Sequence, residues 1–81
     1  MKKVIILGGG GFIGGHLARK LKQQGYWVLI ADLKKHEYFS ENEICDEFMQ
    51  GDLSDPRFVE SVIFEDCYEL YQLAADMGGA G

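Results

Sequence analysis

The chain has 81 residues, of which 47% are hydrophobic and 26% charged, and its formal net charge is -5. This composition is sufficient for one small packed domain, and the negative charge argues against binding to nucleic acid or to an anionic membrane. The two cysteines, Cys45 and Cys67, lack the spacing of a disulfide framework or a metal site and fit a reduced, cytoplasmic protein.

The first thirty-two residues predict a strand, a glycine turn, a helix and a second strand. Residues 4–7 are an unbroken aliphatic run, typical of a parallel strand covered on both faces and too short for a signal peptide or a membrane span. The next segment predicts a helix, because four apolar residues are spaced so that they fall along one side of it: Phe12, Ile13, Leu17 and Leu21. Gly25 is a natural helix stop, and a second apolar run at residues 26–31 ends at Asp32.

The remaining residues predict a second, shorter series of elements. A polar segment contains one helical turn near residues 40–43, and residues 47–50 form a short third strand. Asp55 and Pro56 are typical of a helix N-cap and first helical position, and residues 69–73 form a fourth strand. We therefore predict an α/β fold, the N-terminal half of a Rossmann-type doubly wound parallel sheet with strand order 3-2-1-4.

Three glycines between the first strand and the first helix, Gly8, Gly11 and Gly14, predict a pyrophosphate site. Such glycines allow a sharp turn, a close approach of the ligand, and tight packing of the helix, whose N-terminus attracts phosphates. Asp32 lies eighteen residues past Gly14, at the end of the second strand, where its carboxylate can accept both hydroxyls of an adenosine ribose. A P-loop is excluded because residues 14–17 are Gly-Gly-His-Leu, without its lysine.

The residues after the second strand favour NAD over NADP. Asp32 would repel the 2′-phosphate of NADP, whereas Lys34 and Lys35 could attract it. We interpret the two lysines as solvated side chains that flank the adenine, so that Lys34 joins the expected cofactor-binding residues.

Three segments, taken in chain order, resemble motifs of the extended short-chain dehydrogenases/reductases. Residues 8–14, Gly-Gly-Gly-Gly-Phe-Ile-Gly, resemble their G-x-x-G-F-x-G signature, which implies cofactor contacts at Phe12 and Ile13. Asp52-Leu53 resembles the acidic pair that meets the adenine ring after the third strand. The resemblance implies that three further residues wall the adenosine pocket: Leu73, Ala74 and Ala75.

The string Ala-Ala-Asp-Met-Gly-Gly at residues 74–79 resembles more narrowly the GDP-mannose 3,5-epimerases. That resemblance implies a GDP-mannose-type sugar nucleotide beside Gly78, transient oxidation of hexose C4 by NAD⁺, epimerisation at C3 and C5, and a homodimer in the full-length form. Leu33 stands where the family usually has tryptophan, and Ala80 where it usually has methionine. The exact sugar therefore stays open, and another sugar-nucleotide epimerase, dehydratase or decarboxylase is the alternative.

We expect residues 1–81 to be the N-terminal part of a dinucleotide-binding domain, with the catalytic and substrate parts absent. The fourth strand would form an apolar sheet edge, which complete proteins avoid. A non-catalytic NAD-binding module is the competing hypothesis, but the glycine-rich segment at residues 74–81 resembles an active-site loop and lacks the polar cap such a module needs. His16 and His36 fit structural or solvated roles better than catalytic ones.

The 81-residue chain by itself should catalyse no epimerisation. The resemblance implies a Tyr-x-x-x-Lys pair in which tyrosine exchanges the proton and lysine lowers its pKa. None of the four tyrosines is followed at the fourth position by lysine. Incubation of the purified chain with NAD⁺ and a panel of sugar nucleotides should give no epimerised product. Turnover above the uncatalysed background would contradict this prediction.

Overall fold

The computed structural model describes residues 2–8, 12–35, 39–63 and 67–73. In this part of the chain the elements are β1 (Lys3–Leu7), α1 (Phe12–Gln23), β2 (Trp27–Asp32), α2 (Glu41–Ile44), β3 (Glu47–Gln50), α3 (Pro56–Val62) and β4 (Cys67–Gln72). The strands form one parallel sheet in the order β3-β2-β1-β4. The predicted fold class and strand order are confirmed.

The two central strands are covered on both faces, which explains their unbroken apolar sequences. On one face, α1 and α2 pack against β1 and β2 through the buried residues Val4, Ile6, Ala18, Leu21, Val28, Ile30, Ile44 and Cys45. On the other face, α3 and the turn before it contribute to a second cluster, Ile5, Leu7, Leu29, Ala31, Leu53 and Val62. The sheet edge at β4 is less covered, since Tyr68 and Leu70 are about half exposed.

A hydrogen-bonded glycine motif ends α1, as the sequence predicts. Gly25 has a φ of +92°, a left-handed conformation that glycine adopts without steric cost. Its N–H donates to the Lys22 carbonyl at 3.0 Å, and the Tyr26 N–H donates to the Leu21 carbonyl at 3.1 Å. These two bonds satisfy carbonyls at the end of the helix and turn the chain into β2.

The start of β4 differs from the prediction because its pairing with β1 contains an irregularity. Lys3 pairs with Cys67 and Val4 with Glu69, so that Tyr68 is an extra residue in the ladder. The strand therefore begins two residues earlier than predicted. The pairing with β1 continues one residue past the end of β4, since the Leu73 N–H donates to the Leu7 carbonyl at 2.8 Å.

The helix α3 begins as predicted, and its packing restricts the residue that follows β3. Asp55 is the N-cap, and its carboxylate accepts a hydrogen bond from the Arg57 N–H at 3.0 Å. In the first turn of α3, the ring of Phe58 lies against Gly51, where an added Cβ would overlap the ring carbons. A side chain at residue 51 would therefore force the Phe58 ring to move.

Substitution Gly51→Ala should lower the free energy of unfolding by about 1–3 kcal/mol, because the methyl group forces the Phe58 ring to move. In a Phe58→Leu background the same substitution should cost less. Gly25→Ala is the control: it has open space but a φ of +92°, so its cost of about 1–2 kcal/mol should not depend on residue 58. Urea unfolding of the parent, the three single variants and the two double variants with Phe58→Leu measures the coupling. Equal costs of Gly51→Ala in both backgrounds would contradict the packing explanation.

Candidate functional site

The predicted site residues that the structure describes gather at the carboxyl ends of four adjacent strands. Leu7 of β1 is aligned with Ala31 of β2 and with Gln72 of β4, and Asp32 is aligned with Gln50 of β3. Neighbouring strands in a sheet lie about 4.8 Å apart. The turn after β1 is therefore flanked by the ends of β2 and β4, and this is the edge where ligands bind to open parallel sheets.

The turn after β1 begins at Gly8, whose backbone adopts a φ of +93°. Its N–H donates to the Ala31 carbonyl at 2.8 Å, so the β1–β2 ladder continues to the residue at which the chain turns. A side chain at residue 8 would meet the steric penalty of positive φ. Gly11, the second predicted pyrophosphate glycine, lies outside the described residues.

The first turn of α1 combines buried glycines with an unneutralised helix end. Gly14 and Gly15 are buried, which fits the close packing of helix on strand expected of the third glycine. Ile13 is 74% exposed, and of Phe12 the structure describes the backbone alone. No acidic residue occupies this first turn, so the partial positive charge at the N-terminus of α1 is available to an anion.

Asp32 ends β2 with its carboxylate held by the backbone that follows. Its Oδ1 accepts hydrogen bonds from the N–H of Leu33 and, at 3.3 Å, from the N–H of Lys34. The Asp32 carbonyl accepts from the Gly51 N–H at 3.0 Å, and the Gln50 side-chain amide donates to the Leu33 carbonyl at 2.9 Å. Sequence reasoning missed Gln50. The signal available in the sequence is a long amide side chain at the end of the strand beside the one that carries Asp32.

Asp52 and Leu53 follow β3 but play different structural roles. The Asp52 carboxylate accepts hydrogen bonds from the Ser54 N–H at 2.9 Å and from the Ser54 hydroxyl at 2.6 Å. Both hydrogen bonds from Ser54 lower the pKa of the Asp52 carboxyl below its ordinary value. The bond from the hydroxyl has the larger effect and the bond from the N–H the smaller one. Leu53 is only 7% exposed and its side chain packs in the second core cluster, so that side chain contributes to the core rather than to the surface of the site.

The end of β4 brings one more predicted residue to the same edge. Leu73 is 40% exposed, and its N–H bond to the Leu7 carbonyl places it beside the turn that begins at Gly8. Three further predicted residues lie outside the described part of the chain: Ala74, Ala75 and Gly78.

Neither cysteine is arranged for chemistry at this edge. Burial is the largest effect on the Cys45 thiol, and the nearby carboxylates of Glu41 and Asp46 add to it. Together they raise the pKa of this thiol to about 11, so it stays protonated at neutral pH.

Within residues 2–8, 12–35, 39–63 and 67–73, no three His, Cys, Asp or Glu side chains come together as metal ligands. No helix in those ranges is long and apolar enough to cross a membrane.

Comparison with known proteins identifies the family to which the chain belongs. Residues 4–81 match the NAD dependent epimerase/dehydratase family. The chain belongs to this family. The family is enzymatic, similar proteins are named epimerases, and the family description implies a nicotinamide dinucleotide cofactor.

Two plant proteins and one solved structure are similar to the chain. GDP-mannose 3,5-epimerase from Arabidopsis thaliana is 44% identical over 81 residues, covering 98% of this chain and 21% of that protein. GDP-mannose 3,5-epimerase 1 from Oryza sativa subsp. indica is 40% identical over 86 residues, with the same coverage. A crystal structure of a UDP-glucose 4-epimerase matches with a TM-score of 0.72 and 32% identity, over 93% of this chain and 23% of that one. The chain thus spans about a fifth of the length of the relatives it matches.

Removal of the Ser54 hydroxyl should raise the pKa of Asp52 toward its ordinary value, because that hydroxyl is the largest cause of the shift. Ser54→Ala keeps the N–H bond, so the rise should be partial. Carboxyl-carbon NMR titration of the variant and the parent measures it. Ser61→Ala is the control, since the Ser61 hydroxyl donates to the Phe58 carbonyl instead. An unchanged Asp52 pKa in Ser54→Ala would contradict this assignment.

The same shift has a defined effect on stability. A carboxyl whose pKa is lower in the folded chain stabilises the fold above its unfolded pKa. That contribution is lost as the pH falls through the folded pKa of Asp52, so the acid side of the stability profile should be less steep in Ser54→Ala than in the parent.

Proposed function

We propose that this chain forms the adenosine and pyrophosphate half of the NAD site of a sugar-nucleotide epimerase. The observation that carries the proposal is the meeting, at one sheet edge, of a positive-φ glycine turn, a helix N-terminus and two carboxylates at the ends of β2 and β3. These are the groups that a dinucleotide requires: donors and space for phosphate, and acceptors for ribose and adenine.

The pyrophosphate would lie over the turn from β1 to α1. Gly8 and Gly11 would leave room for its approach, and Gly14 would keep α1 close to the sheet. The backbone N–H groups at the start of α1, including those of Phe12 and Ile13, would donate to phosphate oxygens. The absence of an acidic residue in this first turn supports the assignment, because a carboxylate there would compete with the phosphate for the helix end.

The ribose would bind to the Asp32 carboxylate, whose oxygens accept hydrogen bonds from hydroxyl groups. A 2′-phosphate at the same position would face like-charge repulsion, which favours NAD over NADP. The Lys35 ammonium group pairs with the Glu41 carboxylate at 3.1 Å on the surface, which directs it toward α2. Lys34 is exposed and would flank the adenosine as a solvated cation.

The adenine would lie at the end of β3, beside the ribose at Asp32. The Asp52 carboxylate, kept ionised by Ser54, could accept from the exocyclic amino group of adenine, and the Leu53 backbone would lie beside it. Leu73 offers an exposed apolar surface at the opposite side, where Ala74 and Ala75 would continue the wall.

The substrate proposed for the full-length protein is a GDP-mannose-type sugar nucleotide. Bound NAD would supply the transient oxidation and re-reduction of hexose C4, and Gly78 would lie beside the sugar. The names of the plant relatives support this choice. A UDP-glucose 4-epimerase from Lactobacillus helveticus, 33% identical over 61 residues, supports the broader alternative of another sugar nucleotide. A cytoplasmic homodimer is proposed for the full-length form, and Cys45 and Cys67, which are not joined in a disulfide, fit a reducing compartment.

The unmodified chain should bind NAD⁺ more tightly than NADP⁺, and Asp32→Ala should weaken NAD⁺ binding by about 10-fold or more while narrowing the difference between the cofactors. Isothermal titration with both cofactors measures the two affinities. Glu60→Ala, which removes an exposed carboxylate from α3, serves as the matched control and should leave both unchanged. Tighter binding of NADP⁺ than of NAD⁺ by the parent would overturn the assignment of Asp32.

A further inference from the structure

The end of β3 holds the segment after Asp32 through a side chain as well as through the backbone. The Gly51 N–H donates to the Asp32 carbonyl at 3.0 Å, which extends the β2–β3 ladder by one bond. The Gln50 Nε2 then donates to the Leu33 carbonyl at 2.9 Å. Two successive carbonyls, the last of β2 and the first after it, are therefore bound from the end of β3, the second by a side chain that reaches past the end of the ladder.

The peptide plane between Leu33 and Lys34 is consequently held from both sides. Its carbonyl accepts from Gln50, and its N–H donates to the Oδ1 atom of Asp32 at 3.3 Å. Carbonyl and N–H of one trans peptide point in opposite directions on a rigid plane. Rotation of that plane would therefore break the bond to Gln50 and the bond from the Lys34 N–H to the Asp32 carboxylate together, while the bond from the Leu33 N–H belongs to the preceding peptide.

We propose that Gln50 is a positioning residue for cofactor selection, which orients the Asp32 carboxylate by holding the Leu33–Lys34 peptide plane. The inference rests on the proposed function, because it assumes that Asp32 receives the ribose. Gln50 itself need not contact the cofactor. Its effect is to keep the carboxylate directed at the ribose hydroxyls, where it accepts hydrogen bonds from NAD and repels the additional phosphate of NADP.

The surroundings of Gln50 favour this role over a purely structural one. Its side chain is exposed, and the bond to the Leu33 carbonyl lies at the surface. Surface hydrogen bonds that compete with water contribute little to folding. Loss of the Gln50 amide should therefore leave the sheet intact and change mainly the orientation of the two residues after Asp32.

The test is the ratio of NAD⁺ to NADP⁺ affinity in Gln50→Met, which keeps the length of the side chain and removes the donor. NAD⁺ affinity should fall about 3- to 10-fold, NADP⁺ affinity should fall less, and the melting temperature should be unchanged. Gln23→Met, an exposed glutamine of α1, is the matched control and should retain the parental ratio. Gln50→Glu is a second variant of the same size, in which an acceptor faces the Leu33 carbonyl, and it should reduce the ratio at least as much.

The outcomes separate this inference from the proposed function. If the parent chain binds neither cofactor, the proposed NAD site fails and the inference fails with it. If the parent prefers NAD⁺ but both Gln50 variants keep its ratio, the inference alone is overturned. A proportional loss of both affinities, accompanied by a lower melting temperature, would also overturn it, since that pattern marks a structural role.

Discussion

The parallel ladder between β1 and β2 determines where every other part of the site lies. Parallel neighbours cannot be joined by a tight turn, so the chain must cross over the sheet through α1 before it returns as β2. That crossover places the start of α1 directly after the end of β1, at the same edge as the end of β2. The Gly8 N–H continues the ladder to the Ala31 carbonyl, and the Asp32 carboxylate follows one residue later. The glycine turn after β1 and the Asp32 carboxylate thus become neighbours through backbone geometry alone.

The short strand β3 depends on side chains at both of its ends. At its start, Asp46 exchanges two hydrogen bonds with Val28, one through its N–H and one through Oδ2, each of 2.8 Å. The other carboxylate oxygen of Asp46 pairs with the Lys22 ammonium group at 3.2 Å and so links α1 to the sheet. At the far end, Gln50 binds the Leu33 carbonyl. The two ends serve different purposes, because Asp46 lies away from the candidate site and Gln50 lies beside it.

Much of the architecture could be predicted because it depends on local chemistry. Continuous aliphatic runs identified the covered strands, and Gly25, Asp55 and Pro56 identified helix ends whose hydrogen bonds the structure shows. The start of β4 could not be predicted, since the irregularity at Tyr68 depends on its pairing with a distant strand. The sequence likewise could not separate Asp52, held at the surface by Ser54, from Leu53, whose side chain packs in the core. The role of Gln50 required knowing which carbonyl its amide reaches.

The strand order also has a consequence for how the chain folds as it is synthesised. β1 lies between β2, which follows after a single helix, and β4, which follows after all the other elements. Closing the shorter loop costs less chain entropy, so the β1–β2 pair can form while later residues are still being translated. Until β4 arrives, one whole edge of β1 exposes unpaired backbone groups beside buried aliphatic side chains. The strand order therefore makes correct pairing of the most apolar strand depend on the last element in the chain, because an unpaired apolar edge is the kind of edge that can pair with a wrong strand.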